Sequence, residues 1–62
     1  MKFNSFKVVP LQDLGECVEQ CEERNADLWG LYGIDANDDA YAIGDFSTKH
    51  DAEFIKDALQ AS

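Results

Sequence analysis

Residues 11–24, Leu11-Gln-Asp-Leu-Gly-Glu-Cys-Val-Glu-Gln-Cys-Glu-Glu-Arg24, decide how this chain folds. Leu11, Leu14, Cys17, Val18 and Cys21 recur at helical spacing, which places them on one apolar stripe. The spacing predicts a helix over 11–24, with Pro10 at its start, where a missing N–H costs nothing, and Asn25 at its end. Gly15 weakens the interior of such a helix by about 1 kcal/mol relative to Ala.

On the N-terminal side, residues 2–9, Lys-Phe-Asn-Ser-Phe-Lys-Val-Val, read as a strand ended by Pro10. On the other side, residues 28–34 (Leu-Trp-Gly-Leu-Tyr-Gly-Ile) and 40–46 (Ala-Tyr-Ala-Ile-Gly-Asp-Phe) are two further strand-like runs. Asp35-Ala-Asn-Asp-Asp39 between them is rich in residues that tolerate tight turns, which predicts a β-hairpin. Thr48 followed by Asp51 resembles a capping box. Behind it, Ala52, Ile55, Ala58 and Leu59 form the buried stripe of a second helix, with Phe54 at its margin.

The resulting order, β-α-β-β-α, predicts an α+β fold in two layers. A three-stranded antiparallel sheet carries two helices on one face, as in a ferredoxin-like arrangement without its final strand. A right-handed crossover joins the first strand to the second, and the third lies between them. The first strand keeps an unpaired edge that invites another chain, and the sheet face opposite the helices stays open. Asp45 belongs on that open face, and strand alternation sends Tyr41 and Ile43 with it. Ala40, Ala42, Gly44 and Phe46 then turn toward the helices. The second strand adds either Trp29 and Leu31 or Tyr32 and Ile34 to the open face.

A chain of 62 residues forms a single domain, spanning 1–62. With 45% hydrophobic residues, among them one Trp, two Tyr and four Phe, it folds rather than behaving as an acidic tail. Five basic side chains face thirteen carboxylates, for a net charge of −8. Such a surface repels phosphate backbones and anionic membranes, and attracts basic partners at long range. No stretch approaches the roughly 20 apolar residues of a membrane span, and residues 1–10 lack the apolar block of a secretion signal. The expectation is a cytoplasmic protein with reduced thiols.

On the 11–24 helix, Asp13, Glu16, Glu19 and Glu23 would recur three or four residues apart, about every 4.5–6 Å along the axis. Duplex DNA carries one charge per roughly 3.4 Å of each strand, so imitation of a duplex needs further acids. Asp27, Asp38 and Asp39 are the nearest by sequence. Either the stripe is an ordinary solvated face or it meets a cationic partner. Only Arg24 lies between Lys7 and Lys49, and a helix selected for stability would mix signs at i,i+4. Trp29 and Tyr41 join the candidate partner-binding set, since aromatic residues dominate interface hot spots.

Other chemistries are poorly supplied. Cys17 and Cys21 are two thiols where a tetrahedral metal site needs four ligands, and burial as small hydrophobes is the simpler reading. Asp35, Asn37 and Asp39 match alternate positions of a calcium loop, but Ala40 and Phe46 replace its Gly and bidentate Glu. His50 is the only histidine, and neither a nucleophile setting nor a glycine-rich phosphate loop accompanies it. No cofactor, metal or enzymatic activity is expected.

The run from Trp29-Gly-Leu-Tyr-Gly-Ile34 to Ala42-Ile-Gly-Asp-Phe-Ser-Thr-Lys-His-Asp-Ala-Glu53 resembles small proteins of phages and plasmids, over about the C-terminal half of the chain. In size and acidity the whole chain looks like anti-CRISPR and anti-restriction inhibitors. The resemblance implies a class, compact host-defence inhibitors, some of which fill nucleic-acid channels with negative charge. The expected function is therefore a small acidic inhibitor that blocks a basic surface of a host nucleic-acid-handling protein. The competing expectation is a non-enzymatic adaptor or homodimer that uses the open sheet face or the free edge.

Overall fold

In the computed structural model, which describes residues 3–61, the chain forms one four-stranded antiparallel sheet and one α-helix. The strands are β1 (Ser5–Asp13), β2 (Val18–Gln20), β3 (Leu28–Ile34) and β4 (Ala40–Phe46), in the order β2-β1-β3-β4. A single 3₁₀ turn covers Glu23–Asn25, and α1 covers Lys49–Gln60. The α+β class is as expected; the helix over 11–24 is not there. The 40–46 strand lies at the edge rather than between the other two, because β3 pairs directly and antiparallel with β1 and no right-handed crossover joins them.

Pro10 explains the first departure. Cys21 N–H donates to the Pro10 carbonyl (3.1 Å), so the even-numbered residues of β1 direct their backbone groups toward the β2 side. The N–H that Pro10 lacks would point that way too, and the ladder to β3, made by the odd-numbered residues, is untouched. The strand therefore runs through Pro10 to Asp13 instead of stopping.

Local chemistry then turns the chain. The Asp13 carboxylate accepts from Gly15 N–H (2.9 Å), Gly15 adopts φ 91°, and Leu14 N–H donates to the Cys17 carbonyl (2.9 Å). A two-residue hairpin with glycine at its first central position matches the right-handed twist of its strands. The chain returns as β2, with Leu11 opposite Gln20 and Asp13 opposite Val18. Cys17 and Cys21 are consequently exposed and half-buried, respectively, rather than packed on a helix face.

Residues directly opposite in an antiparallel ladder share a face. Val8, opposite Leu31, and Pro10, opposite Trp29, therefore lie on one side of the sheet. Val9, opposite Gly30, and Lys7, opposite Tyr32, lie on the other. The first side is covered by α1, by the 3₁₀ crossover that carries the chain from β2 to β3, and by an aromatic cluster. In that cluster the Phe3 ring lies 5.8 Å from Phe6 and 6.0 Å from Tyr41. Phe3 also lies against Gly33, where a Cβ would stand 2.6 Å from the ring, so only glycine leaves it room. Leu31 and Ala52 are fully buried between sheet and helix.

The helix begins as its residues predict: Thr48 Oγ1 accepts from Asp51 N–H (3.2 Å). Ala52 is buried and Ile55 and Leu59 are half-buried, but Ala58 is exposed and Phe54, 67% exposed, turns away from the sheet. The 35–39 hairpin loop is also as expected. The Asp35 carboxylate accepts from Asn37 and Asp39 N–H at 2.9 and 3.0 Å, and Asp38 takes φ 65°, a conformation that Asp tolerates.

Candidate interaction surface

The open face consists of residues that alternate outward from the helix layer. Lys7, Val9 and Leu11 of β1, Val18 and Gln20 of β2, Tyr32 of β3 and Ala40 of β4 line a shallow groove of about 260 Å³. Gly30 shapes its floor: a Cβ there would stand 2.8 Å from Leu11 Cδ1 and 2.9 Å from Tyr32 Cε2, so both side chains close over a bare backbone. Val9 and Leu11 are thereby buried although, among the described residues, no second layer covers them. Of the two sets open to β3, this face holds Tyr32 and Ile34; Trp29 and Leu31 lie under the helix layer.

Asp45 is on the open face as expected, opposite Gly30. Tyr41 is not. Leu31 pairs with Gly44 while Tyr32 pairs with Ala42, so Ile43 is an extra residue in β4. A bulge reverses the alternation beyond it. Tyr41 therefore falls opposite Gly33 on the helix side, and Ala40 and Ala42 turn to the open side. The Asp35 carboxylate beside the Tyr41 hydroxyl raises that phenol above its usual range by charge and hydrogen bonding, with burial adding to it. Trp29, half-buried, lies under Lys49, whose Nζ sits 5.6 Å from the ring centroid.

The carboxylates of segment 13–27 do not form a helical stripe, but most remain together at one end of the sheet. Asp13 and Asp27 meet directly, since Asp13 N–H donates to Asp27 Oδ2 (3.0 Å). Glu16 sits in the β1–β2 turn, and Glu19 lies opposite Gln12 on the helix side of β2. Glu23 is engaged by Lys49 Nζ at 2.9 Å, and Glu22 by Arg24 at 2.9 Å. These are the two ion pairs among the described residues. Asp38 and Asp39 are in the loop at the other end of β3, roughly 23 Å of strand away at about 3.3 Å per residue, so they cannot extend this group.

Cys21 sits beside the acidic end. Burial pushes its thiol above the usual range, and the Asp27 and Glu22 carboxylates push it further in the same direction. Among the described residues no three metal-ligating side chains gather, and no helix is long and apolar enough to cross a membrane. The sequence reading missed the groove. The pair Gly15-Glu16 between Leu14 and Cys17 carried the hairpin signal that would have exposed it. No protein-family model, curated protein or solved structure matches the chain.

Proposed function

We propose that this is a small acidic binding protein that occupies a basic, nucleic-acid-binding surface of a partner, in the manner of the phage and plasmid inhibitors it resembles. One observation carries the reading. Segment 13–27 gathers six carboxylates against Arg24 alone at one end of a sheet, and only Glu22 and Glu23 are held in ion pairs there. Like charges so placed repel one another and lower stability. A cationic partner would relieve that repulsion and be drawn in at long range.

The test is displacement of a labelled duplex from purified host nucleic-acid-binding proteins with basic channels. Displacement should weaken steeply with salt. The double variant Glu16→Lys/Glu19→Lys should lose at least tenfold in potency, while Glu53→Lys/Asp57→Lys, at exposed positions of α1, should lose little. Equal losses in the two variants, or no displacement at low salt, would remove the proposal.

A second reading, an adaptor that uses the sheet itself, is favoured by the uncovered groove around Val9, Leu11 and Tyr32. It predicts binding that is comparatively indifferent to salt.

A further inference from the structure

The sheet has a notch. β1 runs from Ser5 to Asp13, but β2 pairs only with Leu11–Asp13, and Cys21 adds one bond to Pro10. Among the described residues no strand lies beside β1 on that side from Ser5 to Val9. The even-numbered residues point their backbone outward here, so the N–H and C=O of Phe6 and Val8 have no partner among the described residues. The groove floored by Val9 and Leu11 opens beside this edge, in line with Val18 and Gln20. An added strand would continue the line of β2 and place alternate side chains in the groove.

We infer that this edge is a strand-addition site for an extended segment of a basic partner, about five residues long with apolar side chains in alternation and Lys or Arg at its ends. The inference rests on the proposed function and names its mode of contact. Four backbone hydrogen bonds, to Phe6 and Val8, would give affinity, and the groove would select the alternate residues.

Charge sets the ends. At one end of the notch Cys21 feels the carboxylates of both Asp27 and Glu22, of which Arg24 engages only Glu22. At the other, the loop carrying Asp35, Asp38 and Asp39 follows Ile34, the partner of Ser5. Lys7 in the middle faces the groove and keeps cations out of the segment's centre. A second copy of the chain is disfavoured. It brings another eight negative charges, pairing centred on Lys7 sets two ammonium groups opposite each other, and its Asn4 would fall opposite Pro10, where Cys21 already sits. The other edge, β4, carries the bulge at Ile43, a device that blocks strand addition.

The probe is a synthetic peptide, Lys-Lys-Val-Thr-Val-Thr-Val-Lys-Lys, added to the full chain and followed by amide hydrogen exchange. Binding should raise protection of the Phe6 and Val8 amides at least tenfold and leave Lys7 and Val9, already bonded to β3, unchanged. Val8→Pro removes an outward N–H as Pro10 naturally does, so it should fold normally by circular dichroism and bind at least tenfold more weakly. The protein-independent check is N-methylation of alternate peptide residues: one set should abolish binding, and the other should not. A peptide with glutamates in place of the lysines should not bind. Unchanged Phe6 and Val8 protection, or equal effects of the two methylated sets, would overturn strand addition. The duplex-displacement reading, which depends on Glu16 and Glu19, would still stand or fall separately. Protection that rises with the protein's own concentration would assign the edge to a second copy and overturn the proposal.

Discussion

Pro10 is the residue on which the architecture turns. A proline inside a strand normally signals its end, because it removes a ladder donor. Here the missing donor faces the side where β2 fades out, so the longest strand of the sheet passes through it intact. Nothing in the identity of Pro10 distinguishes a helix start from an outward-facing strand position; only its parity relative to β3 does, and that is set at long range. Tyr41 teaches the same lesson, since one extra residue at Ile43 reverses its face. The position of Tyr41 beside Asp35 has a consequence for pH. Its folded-state pKa is raised, so the folded protein holds the phenolic proton more tightly than the unfolded chain does. That contribution is fully present below the unfolded value of about 10 and is lost as pH rises through the raised folded value. Lys49, raised by its hydrogen bond to Glu23 and then by that carboxylate's charge, shifts in the same direction and adds to the alkaline loss. Melting temperature should therefore fall above about pH 10, and Tyr41→Phe should flatten part of that fall. An alkaline limb identical in the variant would mean that Asp35 does not act on this phenol.

At the scale of elements, the contrast is between α1 and segment 11–24. The helix was legible because its signals are local. Thr48 caps Asp51 three residues on, and Ala52, Ile55 and Leu59 present one face to the sheet. Thr48→Ala should cost about 1 kcal/mol, read from denaturant midpoints at constant slope. No change would mean that the bond to Asp51 is not stabilising the helix start. Segment 11–24 showed helical periodicity just as clearly, yet a helix of that length is marginal alone and needs a packed face to persist. Asp13 and Gly15 offer the backbone a turn instead, and β1 offers β2 a ladder. Leu14 and Val18, counted as part of a buried stripe, end 51% and 47% exposed. The β3–β4 hairpin was legible from the Asp35–Asp39 loop, but its bulge was not, because no residue type marks it.

For the whole molecule, the two-layer α+β class, one helix, one hairpin and the open face could be read from apolar alternation and turn chemistry. The fourth strand and the notch beside β1 could not, because they depend on which strands become neighbours. The charge could be counted but not located. The fold gives it a place, since the carboxylates of segment 13–27 collect where β1 turns into β2, and their few cationic neighbours engage only Glu22 and Glu23. If that concentration serves a partner, it should destabilise the free protein. The most direct measurement is the melting temperature of wild type and Glu16→Lys at about 10 mM and about 150 mM salt, where screening lengths are roughly 30 and 8 Å. The wild type should melt higher at the greater salt concentration, and Glu16→Lys should melt higher than wild type at low salt, with the gap closing as salt is added. A wild-type melting point that is flat or falls with salt, or a Glu16→Lys variant less stable than wild type at low salt, would contradict the account.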